Sequence, residues 1–277
     1  MEYKKLFEWG QTKLQNAGIE EATLDARLLL EFVCGTDRNT LLVHGERPVA
    51  EEEQRRYEEY IGKRESRIPL QYITGEQEFM GLPFMVNENV LIPRQDTETL
   101  TEEALRNLHD GMSVLDMCTG SGCILLSLLN YTNDCVGVGV DISEKALAVA
   151  EENNRRLGKN AVFLQSNLFE NVEGKFDVIV SNPPYIPSEV IPTLMEEVKT
   201  YEPMSALDGK EDGLYFYREI VKQAGAYLNR GGRLLFEIGC EQAEDVSKLL
   251  VDAGYKDVQV IKDLAGLDRV VTGSYVP

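Results

Sequence analysis

The sequence predicts an α/β protein in which a doubly wound, mostly parallel seven-stranded sheet follows a small helical domain. Three observations support this: helical spacing of apolar residues up to about residue 71, a change of period between 72 and 93, and alternating strands and helices from residue 113. Continuous apolar strands separated by helices are typical of parallel sheets covered on both faces. We predict a helical domain over residues 1–74, a β-hairpin linker over 75–95 and the sheet domain over 96–277.

The helical domain is indicated by apolar residues at three- and four-residue steps between Leu24 and Phe32, which form one face of a helix. The charged run E-E-E-Q-R-R-Y-E-E-Y, residues 51–60, is typical of a solvated helix face. After it, residues 79–93 contain short apolar runs on either side of Asn87-Glu88-Asn89. This triplet is rich in turn-forming residues, so it predicts a hairpin that turns there.

The sheet domain contains seven short apolar runs that we predict to be strands. Helices are predicted between them from about Ser121, after Ser143 as an N-cap, near residues 214–228 and through 246–253. Ligands of doubly wound sheets bind at the carboxyl ends of the strands, where the strand order reverses. Polar residues at strand ends are therefore the site candidates. The predicted strands are S-V-L-D-M (113–117), V-G-V-G-V-D (136–141), A-V-F-L-Q-S (161–166), F-D-V-I-V-S-N (176–182), R-L-L-F-E-I-G (233–239), D-V-Q-V-I (257–261) and R-V-V-T (269–272).

The formal net charge of −19 argues against a nucleic-acid partner. It arises from 28 lysines and arginines against 47 aspartates and glutamates, and it is negative both before and after residue 86. Nucleic-acid binding relies on basic side chains that displace counterions, so bulk DNA would be repelled at long range. We expect no direct nucleic-acid partner. A local basic patch, and a role of the acidity in solubility alone, stay open as alternatives.

Composition also bears on location and on metal binding. The first residues lack the apolar core of a signal peptide, and no run approaches the roughly 18 apolar residues of a membrane helix. We therefore expect a cytoplasmic protein without a membrane partner. The five cysteines lack C-x-x-C spacing and the two histidines, His44 and His109, lie far apart in sequence, so we expect reduced thiols and no metal site.

A glycine-rich turn follows the first strand of the sheet. Its glycines let the backbone approach a ligand, and the helix after it offers free N–H groups. The dinucleotide fingerprint would need a third glycine where this chain has Leu125, and the Lys-Ser/Thr of a phosphate loop is absent. A G-x-G alone could be a structural turn, but this one fits a nucleoside better than a pyrophosphate. The candidate binding residues are Cys118, Thr119, Gly120, Ser121 and Gly122.

The next two strands end in residues suited to the rest of an adenosine. Asp141, 19 residues beyond Gly122, can accept two hydrogen bonds from a ribose diol. Asn167 could bond the adenine edge, with Leu168 or Phe169 over the ring, although an Asn at a strand end is often only turn chemistry. Together with the turn these residues describe an adenosine pocket. Because a phosphate cradle is missing, we predict S-adenosylmethionine as the ligand.

The fourth strand ends at Asn182-Pro183-Pro184-Tyr185, which suits a planar nitrogen as methyl acceptor. The Asn182 side-chain oxygen and the Pro183 carbonyl could accept both N–H groups of an acceptor –NH2, and these bonds strengthen as positive charge develops on the nitrogen. The prolines stiffen the loop and remove competing donors. Tyr185 could stack on the flat acceptor. The alternative is that Pro-Pro only terminates a strand.

With these residues, the chain resembles the HemK/PrmC family of N(5)-glutamine methyltransferases. The corner N-P-P-Y is shared more widely by methyltransferases that modify planar nitrogens, so the surrounding segments carry the resemblance. These are R-I-P-L-Q-Y-I-T-G (67–75), F-M-G-L-P-F-M-V-N-E-N-V-L-I-P-R (79–94), L-D-M-C-T-G-S-G-C-I (115–124), F-D-V-I-V-S-N-P-P-Y-I (176–186) and E-P-M-S-A-L-D-G-K-E-D-G-L (202–214).

The resemblance implies a class I S-adenosylmethionine-dependent methyltransferase that modifies the glutamine of the Gly-Gly-Gln motif in class I peptide chain release factors. It implies a donor site at residues 118–122, Asp141, Leu168 and Asn182, and a glutamine site at residues 182–185. The helical domain would bind the release factor, and we expect a monomer. The chain departs from the family at Gln95-Asp96-Thr97-Glu98, where Pro-Glu-Thr-Glu is usual, and at Cys118 and Asn167, where Gly and Asp are usual.

Two other functions stay open at this point. A nucleic-acid N(6)-adenine methyltransferase has an acceptor of the same planar kind, but the charge and the absence of a basic recognition segment count against it. A non-catalytic methyltransferase-like binding protein is disfavoured because the glycine turn, Asp141 and the whole corner occur together. The sequence does not determine which release factor is preferred.

Overall fold

The computed structural model describes residues 1–276, which form two compact units. The first comprises Met1–Gly75 together with Met195–Tyr201, and the second comprises Glu76–Leu194 and the chain from Glu202 onward. The short segment 195–201 thus belongs to the helical unit although it follows the fourth sheet strand in sequence. Within residues 1–276, no helix has the length and apolar character needed to cross a membrane.

Twelve α-helices and one short 3-10 helix, Ile191–Thr193, occur in the described chain. In chain order the α-helices are α1 (Tyr3–Asn16), α2 (Ala22–Cys34), α3 (Arg38–Val43), α4 (Glu51–Glu65), α5 (Leu70–Thr74), α6 (Gln95–Asn107), α7 (Cys123–Tyr131), α8 (Glu144–Arg156), α9 (Glu196–Tyr201), α10 (Met204–Leu207), α11 (Tyr215–Ala224) and α12 (Ala243–Asp252).

Nine strands occur in the same part of the chain, two in a hairpin and seven in one sheet. They are β1 (Glu76–Phe79), β2 (Leu82–Met85), β3 (Ser113–Met117), β4 (Val136–Asp141), β5 (Val162–Gln165), β6 (Phe176–Ser181), β7 (Leu228–Glu237), β8 (Lys256–Lys262) and β9 (Asp268–Ser274).

The first unit packs around buried apolar side chains of α1, α2 and α4, among them Leu6, Leu29 and Tyr57. The Tyr57 hydroxyl donates to the Ala26 carbonyl, which satisfies its one polar atom inside the core. Arg64 of α4 is also buried. It pairs with Asp25 on α2 at 2.7 Å and with Glu197 on α9 at 3.0 Å, so α9 is held in this unit by charge-assisted hydrogen bonds. Arg67 adds a contact to Glu197 at 3.3 Å.

The sheet of the second unit has the order β5-β4-β3-β6-β7-β9-β8. Its first five strands are parallel, and β9 runs antiparallel to both neighbours. The seven-stranded, mostly parallel sheet is therefore confirmed. From β3 the chain builds outward to β5 and then returns to place β6 on the other side of β3, so the order reverses between β3 and β6. Ligand crevices form beside the carboxyl ends of strands at such a reversal.

The hairpin turns at a different place from the predicted one. Residues Met80 and Gly81 join β1 to β2, with φ of +52° and +71°, so both lie in the left-handed region of a tight hairpin turn. The prediction of a turn at 87–89 was wrong, because this triplet forms a separate turn after β2. There the Asn87 side chain accepts from the N–H of Asn89 at 3.0 Å, as in an Asx-turn.

Candidate active site

A cavity of about 370 Å³ lies at the carboxyl ends of β3, β4, β5 and β6. It is lined by residues at the ends of these four strands and just after them, by the loop before α6 and Thr97 on that helix, and by part of the segment 203–216. Most of the predicted site residues meet here, whereas Gly122, Pro183 and Tyr185 lie outside the cavity wall. The predicted residues that line the cavity are Cys118, Thr119, Gly120, Ser121, Asp141, Asn167, Leu168, Asn182 and Pro184.

The turn after β3 needs its glycines for two different reasons. Gly120 has φ of +54°, and a Cβ there would meet no other atom within 4 Å, so its backbone is open to a ligand. Gly122 has φ of +77°, and a Cβ there would lie 3.2 Å from the Ala150 Cβ. It therefore permits close packing of α7 against α8. Cys118 takes φ of +64°, in the left-handed region where a residue with a side chain is strained.

Asp116, the fourth residue of β3, is buried and holds the side chain of Thr119 in this turn. Its Oδ2 accepts from the Thr119 hydroxyl at 2.6 Å, whereas its Oδ1 has no partner among residues 1–276. Burial raises the pKa of Asp116 to about 7, and the Thr119 hydrogen bond opposes that shift. The Thr119 side chain is thus fixed, while its N–H donates to the Val140 carbonyl at 3.0 Å. The turn is joined to both strands that flank it.

Asp141 ends β4 and joins two of the predicted binding segments. Its Oδ2 accepts from the Gly120 N–H and its Oδ1 from the Ser143 N–H, both at 2.9 Å. Burial raises the pKa of Asp141. The hydrogen bonds from the two N–H groups reduce this rise without cancelling it. A carboxylate oxygen has two lone pairs, so each can still accept from a hydroxyl. The cap of α8 is Ser143, as predicted, because its hydroxyl accepts from the Ala146 N–H at 3.2 Å.

Of the residues after β5, some line the cavity and others are buried in the core. Leu168 lines the cavity with φ of +52°, held by a hydrogen bond of 2.6 Å from the Ser166 hydroxyl to its carbonyl. Phe169 instead is buried and stacks on Tyr227 at 4.6 Å between ring centroids. Of the two predicted covers for an adenine ring, only Leu168 therefore faces the cavity. Asn167 also lines it and donates through its side-chain nitrogen to Glu170 at 2.9 Å.

The Asn-Pro-Pro-Tyr corner begins where β6 ends. Pro183 and Pro184 are buried, and Asn182 is half-buried with its side chain on the cavity. The Asn182 Nδ2 donates to the Thr97 hydroxyl oxygen at 3.3 Å, and Thr97 belongs to α6. This bond occupies the amide nitrogen, so the Asn182 Oδ1 is the atom of this side chain that remains to accept a hydrogen bond.

Tyr185 turns its hydroxyl to Glu237 at the end of β7, with 3.2 Å between Oη and Oε1. Burial raises the pKa of Glu237 to about 7, and the Thr97 hydroxyl, Arg269 and Tyr185 oppose the shift. Burial also raises the pKa of Tyr185 well above its usual value. Tyr185 is therefore neutral throughout the physiological range, and Glu237 is neutral over the part of it below about pH 7. Stacking of Tyr185 on an acceptor stays a prediction.

Sequence reasoning gave no site role to Thr97 or Glu237. Glu237 had a usable signal, because it is an acidic residue at the end of an apolar strand, as Asp141 is. Thr97 had a weaker signal in the sequence, because it lies 85 positions before Asn182 and contacts it only through the packing of α6. The cavity is also lined by Pro203, Met204, Ser205, Ala206 and Asp208. They belong to the segment 202–214, which contributed to the family resemblance but was given no site role.

Comparison with known proteins identifies the family. The family model for the PrmC N-terminal domain matches residues 5–75, and the model for the Methyltransferase small domain matches residues 95–198. The release factor glutamine methyltransferase of Geobacter sulfurreducens is 44% identical over 271 residues, which covers 98% of this chain and 95% of that protein. The chain belongs to the release factor glutamine methyltransferase family. The enzyme of the same name from Clostridium botulinum is 41% identical over 275 residues, 97% of each chain.

A solved structure agrees with this family at the level of the fold. The crystal structure of a methyltransferase from Pyrococcus furiosus superposes with a TM-score of 0.57, covering 78% of this chain and all of that one. Only 18% of the aligned residues are identical, so the likeness concerns the fold alone. The predicted α/β methyltransferase class is confirmed, and so is the predicted family.

Proposed function

We propose that this protein transfers the methyl group of S-adenosylmethionine to the side-chain amide nitrogen of the glutamine in the Gly-Gly-Gln motif of class I peptide chain release factors. One observation carries the proposal beyond family membership: the cavity at the strand ends is bounded by Asn182, whose amide nitrogen is already bonded within the protein. Its amide oxygen is then available to a primary amide, which offers two N–H donors.

The residues around the cavity fit this methyl donor. Asp141 retains a lone pair on each carboxylate oxygen for a ribose diol, and the open backbone at Gly120 lies beside it. Leu168 offers an apolar surface for an adenine ring, and the Asn167 side-chain oxygen could accept from its amino group. A cavity of about 370 Å³ is within the usual size for a cofactor site. Cys118, Thr119, Ser121 and Gly122 complete the proposed donor turn.

When bound, the donor supplies an electrophilic methyl group on sulfur. What the protein must add is orientation, because the amide nitrogen of glutamine has a delocalised lone pair and is a weak nucleophile. The Asn182 Oδ1 and the Pro183 carbonyl accept its two N–H groups and so present the nitrogen to the cavity. As charge develops on that nitrogen both hydrogen bonds strengthen, which stabilises the transition state over the bound substrate. Pro184 stiffens the corner, and Tyr185 would fix the plane of the amide.

The proposed partner is a protein, and no nucleic acid or membrane is required. Release factors act in translation, so we expect the enzyme in the cytoplasm, and a monomer suffices because the described cavity is formed within the second unit. The helical unit is the part of the chain to which we assign release-factor binding. A metal ion has no role in the proposed chemistry, because methyl transfer from a sulfonium needs alignment more than a Lewis acid.

Mass spectrometry of the reaction products tests this function. The protein is incubated with the donor and either a class I release factor or duplex and single-stranded DNA of mixed sequence. We expect one added methyl group on the peptide that contains Gly-Gly-Gln, and its loss when that Gln is replaced by Glu. Methylation of DNA alone would support the adenine enzyme instead. Donor binding without any product in either arm would indicate a non-catalytic relative.

A further inference from the structure

Asp141, Gly120 and Leu168 account for the adenosine of the proposed donor but not for its amino-acid end. At that end S-adenosylmethionine carries an α-carboxylate, which a short aliphatic chain joins to the sulfonium. A carboxylate that leaves water for a cavity needs a positively charged or N–H partner there. Among the residues that the structure describes, the cavity wall contains two basic side chains, Arg94 and Lys210. These two are the candidates to bind the carboxylate.

Arg94 lies at the same end of the cavity as the acceptor corner. It directly precedes α6, and Thr97 in the first turn of that helix accepts from the Asn182 Nδ2 at 3.3 Å. In the proposed reaction the sulfonium has to lie beside Asn182, because the methyl group is transferred there. The amino-acid end is attached to the same sulfur, so it belongs to the part of the cavity that Arg94 lines.

A buried acid holds the Arg94 side chain in place. The Arg94 Nη2 donates to the Glu202 Oε1, and the Glu202 side chain is 1% exposed, against 39% for that of Arg94. Glu202 is not part of the cavity wall, so its charge lies behind the guanidinium. Within residues 1–276 the guanidinium makes this one hydrogen bond, although it has five N–H donors. Donors therefore remain for a ligand in the cavity.

Lys210 is less suited to the same carboxylate. Its ammonium pairs with the Asp208 Oδ2 at 2.9 Å, and its backbone N–H donates to the Asp208 Oδ1 at 2.9 Å. Asp208 also lines the cavity, so an anion at Lys210 would face this carboxylate as well. Repulsion from Asp208 would offset the attraction of Lys210. Arg94 differs because the acid with which it pairs lies outside the wall.

We propose that Arg94 binds the α-carboxylate of S-adenosylmethionine. The inference rests on the function proposed above, for which it supplies a second anchor of the donor. Asp141 holds the ribose and Arg94 the amino-acid end, so the sulfonium between them is directed toward Asn182. A guanidinium can meet a carboxylate with paired N–H groups, which fixes orientation as well as position. Methyl transfer leaves the carboxylate unchanged, so the same contact holds the product S-adenosylhomocysteine equally well.

A donor that lacks only the carboxylate tests the proposal by binding. Titration calorimetry compares S-adenosylmethionine with its decarboxylated form, and we expect the original protein to prefer the former by about tenfold to a hundredfold. Arg94→Met should reduce this preference by about tenfold or more, while the dissociation constant of the decarboxylated donor changes less than about threefold. S-adenosylhomocysteine should lose affinity by the same factor as S-adenosylmethionine. An Arg94→Met protein that binds both donors more weakly by an equal factor would overturn the proposal.

Two matched variants control for charge and for the loss of an ion pair. Lys210→Met removes the other basic side chain of the wall and should keep the preference. Arg218→Met removes an arginine of similar side-chain exposure, 43%, which pairs with Asp212 at 2.8 Å and lies outside the cavity wall. It should leave both dissociation constants unchanged. Loss of the preference in either control would overturn the proposal, because the carboxylate would then bind Lys210 or respond only to the overall charge.

A double variant covers the case in which Arg94→Met unfolds because Glu202 is left buried without its partner. Arg94→Met combined with Glu202→Gln removes both charges and should show the same loss of preference; a retained preference would refute the proposal. All of these measurements use the full chain without release factor. An Arg94-dependent preference in a protein that fails to methylate release factor would refute only the proposed function. Methylation of release factor by a protein whose preference is independent of Arg94 would refute only the present inference.

Discussion

At the scale of single residues, Asp141 has the most defined task. Each of its oxygens accepts one backbone N–H, from Gly120 and from Ser143, and can accept one more hydrogen bond. We predict that Asp141→Asn weakens donor binding by about tenfold to a hundredfold, because the substituted amide nitrogen opposes a backbone N–H and the charge that strengthens the diol contacts is lost. Titration calorimetry with the donor measures this. An unchanged dissociation constant would exclude Asp141 from the donor site.

Asn182, unlike Asp141, is expected to affect the rate of methyl transfer much more than the binding of the donor. Its side chain reaches the cavity, and its amide nitrogen donates to the Thr97 hydroxyl on α6. We predict that Asn182→Ala lowers kcat by at least about a hundredfold, because an acceptor for the developing charge is removed, while the donor dissociation constant changes less than about threefold. Single-turnover assays and calorimetry provide the two values. A variant that loses donor affinity and rate in the same proportion would show that Asn182 acts through donor binding, which the family resemblance also assigns to it, and not through the acceptor amide.

At the scale of elements, the corner is held by a segment that follows it in the chain. The Ile186 N–H donates to the Leu207 carbonyl at 3.0 Å, and the Gly209 N–H returns a bond to Ile186 at 2.8 Å. The Gln242 side chain bonds the Tyr185 carbonyl at 3.0 Å. These contacts explain why the acidic, glycine-containing stretch 202–214 accompanies the corner. It forms the wall against which Asn-Pro-Pro-Tyr is fixed.

Gly213 gives the sharpest test of that wall. It has φ of +74°, and a Cβ there would lie 2.3 Å from the Tyr185 carbonyl oxygen. We predict that Gly213→Ala lowers the free energy of unfolding by about 3 kcal/mol, from backbone strain and from the clash, and reduces kcat by at least about tenfold because the corner must shift. Urea unfolding and steady-state kinetics measure the two effects.

Gly254 supplies the control for this substitution. It has φ of +89° at the end of α12, and a Cβ there would meet no atom within 4 Å. Gly254→Ala should therefore cost only the backbone strain, about 1 kcal/mol, and leave kcat unchanged. Equal effects of the two substitutions would mean that the contact with Tyr185 can relax without moving the corner.

The elements also show where sequence reasoning succeeds. Asp141 and Asn182 were predictable because each ends a continuous apolar strand, and in a doubly wound sheet such ends converge. The contact of Tyr185 with Glu237 was not, because it depends on which strands are neighbours, and the bond from Asn182 to Thr97 was not, because α6 is distant in sequence. The Met80-Gly81 turn has none of the usual Asn or Asp signals, and Met80 adopts positive φ while its N–H bonds Glu98 and its carbonyl accepts from the Tyr131 hydroxyl, both distant in sequence. Likewise, nothing local indicates that α9 belongs to the helical unit.

At the scale of the whole molecule, the acidic residues fall into two classes. Most contribute to the net charge of −19 from exposed positions, where solvent weakens their interactions. Asp116 and Glu237 are buried beneath the cavity, and burial raises the pKa of each to about 7. Near neutral pH, folding of the second unit therefore takes up protons. The free energy of unfolding therefore depends on pH through these two buried groups.

The sign of that dependence follows from the direction of the shifts. A carboxyl with a raised pKa binds a proton more tightly in the folded state, so the free energy of unfolding falls as pH rises from about 4.5, the ordinary Glu value, through about 7. The facing charged and titratable groups, Asp96, Tyr185 and Arg269, are retained when only Glu237 is changed. We predict that Glu237→Gln removes one part of this fall and leaves the part due to Asp116.

The measurement is the difference in unfolding free energy between Glu237→Gln and the original protein. It should grow in favour of the variant by at most about 3 kcal/mol between pH 5 and pH 8. Far-UV circular dichroism is the suitable probe, because the single tryptophan, Trp9, lies in α1 and reports only the helical unit. A difference that stays constant with pH would show that Glu237 is ionised throughout this range. Its charge would then be stabilised by Arg269 more strongly than burial disfavours it.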